Sequence, residues 1–302
     1  MKIICPFHQE NDLTGCGKCS QCGFTVEQND PIDLKYFVNN TRNSELEYES
    51  EYSNYAKIDL EEGIYSYEFQ HHIAMQTCNY IYGISKKDIA ELGVGKGELI
   101  KELVSRNPKS ITLLDIAEPF LKEIKTFFNK NIKNHDSCKT VLGNVEYMPF
   151  ENSFDTIIAT DILEHVMNLG NALKRISASM RTGGHFFCRV PLDEALGQYS
   201  IYNGCDFRFA HLRSFNKEIL ESQFNEVGLK IEKLYKYCFL KERFVKGASD
   251  RLKHILKKVY KILKIYGMSD IDFNILLNKK TFFWLKSFHQ PLEVLVVAKK
   301  IK

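Results

Sequence analysis

With 302 residues, 44% of them hydrophobic, the chain can bury one large core with a small appendage, which excludes a disordered or fibrous protein. Its 41 basic and 38 acidic residues leave a net charge of +3, too little by itself to argue for a nucleic-acid partner. Met1–His8 lacks a signal-peptide apolar run and nowhere do 18 apolar residues follow one another, so we expect a cytoplasmic protein without a transmembrane segment.

Four of the nine cysteines fall within the first 22 residues, and this clustering predicts a metal site, not disulfides. Cys5-Pro-Phe-His8 and Cys19-Ser-Gln-Cys22 are two pairs of x-x spacing, ten residues apart, an arrangement that clasps one tetrahedral zinc between two knuckles. Gly23 lets the backbone turn its N–H toward the second knuckle's thiolate. Cys16 is the reserve ligand, because Cys16-Gly-Lys-Cys19 has the same spacing and would displace His8. A poorly ordered tail of free thiols is the plain alternative. We expect residues 1–28 to form a zinc ribbon with little apolar core of its own, and residues 29–85 a linker and lead-in helix. The polar stretch to about Glu62 reads as irregular and as packing over an active-site mouth. Tyr67–Tyr82 reads as a helix ended by Gly83.

From residue 86 strand and helix patterns alternate. Candidate strands are Asp88–Leu92, Ser110–Leu114, Lys139–Leu142, Phe154–Thr160, His185–Val190, Leu229–Tyr237 and Glu293–Ala298. They predict an α/β fold: a Rossmann-like, doubly wound, mostly parallel seven-stranded sheet over residues 86–302, with a basic helical insertion at about 240–288. Ligands of such sheets sit beyond the carboxyl ends of the strands, where the strand order reverses.

The first of these strands runs through Glu91 into Gly93-Val94-Gly95-Lys96-Gly97 and then a helix. Alternating glycines let main-chain N–H groups approach a nucleoside, but the nicotinamide fingerprint requires glycine where Glu98 stands. The second strand ends in Asp115, 18 residues after Gly97, suited to accept hydrogen bonds from ribose hydroxyls. Gly143-Asn-Val-Glu-Tyr-Met-Pro-Phe150, Phe154-Asp-Thr-Ile with Leu163-Glu-His-Val166, and Met180-Arg-Thr-Gly-Gly184 with the strand to Pro191 follow in order. As a set these blocks resemble the class I S-adenosylmethionine-dependent methyltransferases. The resemblance covers roughly residues 86–238 and the last strand.

The resemblance implies S-adenosylmethionine as cofactor. Glu91 and the backbone of Gly93, Val94, Gly95 and Gly97 would surround its methionine part, Asp115 and Ile116 the ribose, Asn144 and Val145 the adenine edge, and Thr160 and Asp161 the methyl-donor end. Asn144 stands where many family members carry Asp. Asp161 and Glu164 also fit a capping box for a following helix. His165 is a candidate general base at the acceptor, and His211 and Arg213 resemble the family's substrate-side His-x-Arg segment, or form a surface turn. Asp161, Glu164 and His165 also resemble an acidic-x-x-Glu-His metal cluster of quinone-biosynthesis O-methyltransferases, although a fourth ligand is not evident.

Between Lys241 and Lys264 nine basic residues face two acids, and Leu252, Ile255, Leu256, Val259, Leu263 and Tyr266 recur at helical spacing. Such a helix packs on the core, lies on an anionic membrane surface, meets a lipid-linked substrate, or meets RNA phosphate. Phe282, Phe283 and Trp284 either line an acceptor pocket or complete the core. The preferred reading is methylation of an oxygen on a small or carrier-linked metabolite, with the zinc ribbon shaping the acceptor side. Methylation of an RNA base is the alternative, since a zinc ribbon also precedes the domain in ribosomal-RNA guanine methyltransferases, and a non-catalytic zinc-dependent adaptor is the second.

Overall fold

The computed structural model describes the chain apart from residues 1, 9, 16, 28–31, 35–42, 64–66, 132–137, 195–200, 203–204, 207–210, 246–248, 266–267 and 280. In chain order the strands are β1 (Lys2–Ile3), β2 (Val26–Glu27), β3 (Ile32–Leu34), β4 (Asp88–Leu92), β5 (Ser110–Asp115), β6 (Cys138–Leu142), β7 (Phe150–Glu151), β8 (Phe154–Thr160), β9 (Met180–Pro191), β10 (Ile201–Tyr202), β11 (Cys205–Asp206), β12 (Leu229–Phe244) and β13 (His289–Lys300). The helices are α1 (Asn43–Glu62), α2 (Tyr67–Tyr80), α3 (Glu98–Leu103), α4 (Glu118–Asn131), α5 (Leu169–Ser179), α6 (Lys217–Glu226), α7 (Asp250–Ile265) and α8 (Asp270–Asn278).

The seven expected strands form the centre of one sheet, ordered β12-β13-β9-β8-β4-β5-β6, and β3 and β2 continue it to nine. Pairings from β3 through β9 are parallel, whereas β13 runs antiparallel to both β9 and β12. The chain winds outward from β4 through β5 to β6, then crosses to β8 on the other side of β4. That reversal leaves a crevice beyond the carboxyl ends of β4 and β8. Ile89, Ala90 and Leu92 of β4 and Ile157, Ile158 and Ala159 of β8 are all buried, as strands covered on both faces require.

The N-terminal segment is fused to this sheet. β1 pairs with β7, the Ile4 N–H donates to the Pro149 carbonyl at 2.7 Å, and β3 lies parallel to β6. Ile3, Leu13, Phe24 and Val26 belong to the same buried cluster as Leu92, Val141 and Phe150. The sequence predicts a segment with little apolar core; instead its apolar side chains share the main one. Fully buried Arg175 reinforces the seam by donating to the carbonyls of Met148 at 2.7 Å and Phe150 at 3.2 Å.

Where polarity predicts an irregular lead-in, Asn43–Glu62 is a 20-residue helix. The segment contains neither glycine nor proline, and a helix that buries only a narrow line needs no broad apolar stripe. Ala56 packs with Ala117 and Phe120 of the α4 region, and the Tyr55 ring meets Phe120 edge-on at 6.4 Å. At the other end of the chain α7 buries Leu256 and Tyr260 in a separate small cluster with Phe273, Leu277 and Leu285, and Tyr260 Oη lies 2.8 Å from His289 Nε2. Ile255, Val259 and Ile262 of the predicted basic helix stay exposed. Among the described residues no helix is long and apolar enough to cross a membrane.

Candidate active site

β4 carries Glu91 into a turn that Gly93, Gly95 and Gly97 make with φ of +66°, +51° and +75°. A Cβ on Gly97 would lie 2.1 Å from Ile124 Cδ1, so helix α4 packs straight onto the turn. At Gly95 nothing lies within 4 Å of that position: bare backbone faces open space, as close approach of a ligand demands. Asp115, at the end of β5, fixes this turn. Its Oδ2 accepts from the Gly95 N–H at 3.0 Å and its Oδ1 from the Ala117 N–H at 2.8 Å. Burial lifts its carboxyl to about 6 against the pull of those N–H groups.

The crevice holds a cavity of about 700 Å³. Glu91, Gly93, Val94, Gly95, Gly97, Asp115, Ile116, Asn144, Val145, Thr160 and Asp161 all line it, as do His165 and His211. Glu91 is buried with Oε2 lacking a hydrogen-bond partner; burial first, then the charge of Asp115, push its carboxyl up to about 8. Asn144 Oδ1 accepts from the Glu146 N–H at 2.9 Å, so it is a turn former as well as a wall residue. Tyr52, Tyr55 and Asp59 of α1, Phe69, Gln70 and Ile73 of α2, and Arg189 and Glu194 also line it. The expectation that the polar lead-in packs over the mouth holds for α1, although no pattern in the sequence marks these particular residues. Asp59 pairs with Lys96 at 2.9 Å, tying α1 across the glycine turn.

The capping box expected of Asp161 and Glu164 does not form. Residues 161–168 are a succession of turns, and α5 is capped by Asn168, which accepts from the Asn171 N–H. Asp161 sits at φ +56°, held there by bidentate pairing with Arg189, whose Nη1 reaches Thr77 Oγ1 at 3.0 Å. Glu164 turns inward, fully buried, with neither carboxylate oxygen hydrogen bonded. The His165 ring lies edge-on to Tyr52 at 5.9 Å and to His211 at 4.7 Å, and His211 Nδ1 is 2.6 Å from Glu194 Oε2. Arg213 donates to the carbonyls of Leu163 at 2.7 Å and Met167 at 3.2 Å. It therefore clamps the turn that presents His165, and His211 alone of the His-x-Arg pair lines the cavity.

In the N-terminal segment the ligand atoms of Cys5, His8, Cys19 and Cys22 all lie within 4.8 Å of one another. Cys5 Sγ is 3.4 Å from Cys22 Sγ, and His8 Nδ1 is 3.8 Å from Cys5 Sγ and 3.7 Å from Cys19 Sγ, spacings that suit one tetrahedral zinc. The donor chemistry fits as well. Burial opposes ionisation of Cys19, but hydrogen bonds led by Asn11 Nδ2 bring its thiol down to about 6. The Gly23 N–H bonds the Cys19 carbonyl at 2.9 Å instead of a thiolate. Cys16 lies outside the described residues. None of the described residues before α1 lines the cavity, so the ribbon does not shape its wall directly; it props the loop of Tyr147 to Phe150, where Phe7 meets Tyr147 at 5.5 Å. Phe282 and Trp284 are exposed and also absent from the cavity.

The family model described as "Methyltransferase domain" matches residues 90–188. The tRNA U34 carboxymethyltransferase of Nautilia profundicola is 33% identical over 102 residues, 33% of this chain and 33% of that protein. That of Campylobacter concisus is 29% identical over 135 residues, covering 44% and 46% of the two chains. The chain thus spans less than half the length of these curated relatives. Among solved structures, the Burkholderia thailandensis 1,6-didemethyltoxoflavin-N1-methyltransferase, bound to 1,6-didemethyltoxoflavin and S-adenosylhomocysteine, aligns with TM-score 0.54 at 13% identity over 94% of this chain and 97% of that one. A chain of the complex between the Haloferax volcanii Trm112 methyltransferase activator and a methyltransferase aligns with TM-score 0.55 at 13% identity, over 87% and 100%. At these identities the two structures establish a shared fold.

Proposed function

Because residues 90–188 match the methyltransferase-domain model, we propose that the protein is an S-adenosylmethionine-dependent methyltransferase acting on an oxygen of a small or carrier-linked acceptor, with one structural zinc held by Cys5, His8, Cys19 and Cys22. The observation that carries this reading is the cavity itself. Its wall combines the open Gly95 backbone, the clamped Asp115 and the unpartnered Glu91 oxygen with an acceptor end of two imidazoles. The cofactor supplies an electrophilic methyl group, and in-line transfer asks the protein for alignment and exclusion of water. Gly93 to Gly97 and Asp115 bind, α1 and α2 cover the bound molecules, and His165 receives the proton of the acceptor hydroxyl as it attacks.

Eight acidic side chains line the cavity against Lys96 and Arg189, and although burial pushes the carboxyls of Glu91 and Glu164 up, the remaining acids still outnumber the bases. Such a wall favours a cationic cofactor and disfavours a polyanionic acceptor. A tRNA uridine is the second reading, favoured by the relatives' names. Incubating the protein with labelled S-adenosylmethionine and either a metabolite pool or bulk tRNA separates the two. Label in tRNA with a steep loss at higher salt would replace the first reading by the second.

Glu91 gives a further expectation. With its carboxyl near 8 it is mostly protonated at pH 7 in the ligand-free protein, and a cationic methionine moiety beside it drives ionisation. Titration calorimetry in buffers of different ionisation enthalpy should show close to one proton released per cofactor bound at pH 7, and almost none for Glu91→Gln. An identical heat in every buffer would remove Glu91 from the site. For His165→Ala we expect kcat to fall about 100-fold or more with cofactor affinity kept. Full activity would leave His165 a structural role only.

A further inference from the structure

We propose that Glu164, His165 and His211 form a second metal site, taking one divalent transition-metal ion at the acceptor end of the cavity. One ligand atom from each lies within 4.8 Å of the others, so small side-chain rotations bring all three onto an ion with bonds of about 2.1 Å. The independent sign of a missing ligand is Glu164. It is fully buried against the cavity with both carboxylate oxygens lacking a hydrogen-bond partner, a costly arrangement unless something positive satisfies it.

The surroundings fit a cation. His211 Nδ1 lies 2.6 Å from Glu194 Oε2, the carboxylate–histidine arrangement that orients an imidazole for metal ligation through its other nitrogen. Leu212 N–H bonds the Glu164 carbonyl at 2.9 Å and Arg213 grips the carbonyls of Leu163 and Met167, so the backbones bearing the ligands are fastened to each other. Asp161, the acid that the sequence pattern would add, is instead committed to Arg189. Two imidazoles and one carboxylate select Zn²⁺, Mn²⁺, Fe²⁺ or Co²⁺ over Mg²⁺ or Ca²⁺, and leave coordination positions open toward the cavity. There an acceptor oxygen would be held and its proton released to solvent more easily, so with the ion bound His165 serves as a ligand and the ion replaces it as the activator of the acceptor. That last role rests on the methyl-transfer reading; binding of the ion does not.

The test uses the full chain with its N-terminal cluster loaded with zinc, and Co²⁺ alone as the probe. We expect one additional Co²⁺ per chain with visible d–d bands but no sulfur-to-metal charge transfer in the near-ultraviolet, which marks a nitrogen and oxygen site and excludes the cysteine cluster. Glu164→Gln and, separately, His211→Gln should each weaken that uptake at least tenfold while zinc content is unchanged. The melting temperature, measured on the same samples, reports folding, and because no methyl donor is added the result stands apart from the fate of the functional reading. No additional cobalt on the wild-type protein, or uptake indifferent to both substitutions, would overturn the site.

Discussion

Replacing Cys19 and Cys22 together by serine is expected to release the proposed zinc and to lower the melting temperature of the whole sheet domain by about 10–20 °C. The magnitude follows from the coupling of metal to core. Structural zinc binds short peptides with roughly 10–16 kcal/mol of apparent free energy at neutral pH, much of which is folding energy. A loss of about 5 kcal/mol is a large share of the stability of a domain and shifts its melting temperature by that amount. An independent ribbon would unfold alone and leave the remainder untouched. Here Leu13, Phe24 and Val26 share a core with Phe150 and Val141, and β1 pairs with β7. Loosening them removes cover from β6 and the Asn144 turn. Cofactor affinity should therefore fall with zinc content, although no ligand cysteine lines the cavity. Burial holds the Cys5 thiol up at about 12 without an ion, so zinc uptake must expel its proton and should weaken as pH falls. Melting curves with metal analysis check this; an unchanged cofactor-binding unit after zinc loss would show that the ribbon is an appendage.

Asp115→Ala is expected to weaken S-adenosylmethionine binding by roughly 30- to 1000-fold, about 2–4 kcal/mol, with only modest loss of fold stability. Two contributions add. The carboxylate would lose its hydrogen bonds to the ribose hydroxyls, and the Gly95 N–H would lose the acceptor that now holds the turn at 3.0 Å. Asp115→Asn separates them, because the amide oxygen can still accept from Gly95 while the charge is gone; its affinity should fall between the two. Unchanged affinity in Asp115→Ala would take Asp115 out of the ribose role.

The parallel strands were legible because each is a short apolar run stopped by glycine or a polar turn. Phe154–Thr160 and Asp88–Leu92 match to the residue. β12 runs seven residues past its expected end at Tyr237, since antiparallel pairing with β13 sustains it where apolar alternation fades. The merging of the N-terminal strands with the sheet was not legible: strands of two or three residues carry no periodicity. Polar α1 escaped for a related reason, having only a thin buried line. At the site, the glycine turn and Asp115 announce themselves by spacing along one strand-turn-helix unit. Asp161 and Glu164 mislead because the pattern is a local cap, while the partner that decides, Arg189, is 28 residues away. His211 meeting His165 and Glu164 depends in the same way on how β9 and the following segment return to the cavity, which no local pattern encodes.

The most direct test of the account is calorimetric titration of the purified, zinc-loaded protein with S-adenosylmethionine and S-adenosylhomocysteine. The geometry of the Gly93–Gly97 turn, Asp115 and Glu91 predicts saturable binding of both ligands at one site, with affinity of micromolar order. Absence of binding by folded, metal-loaded protein would contradict the enzyme and leave a methyltransferase fold serving as a zinc-dependent adaptor.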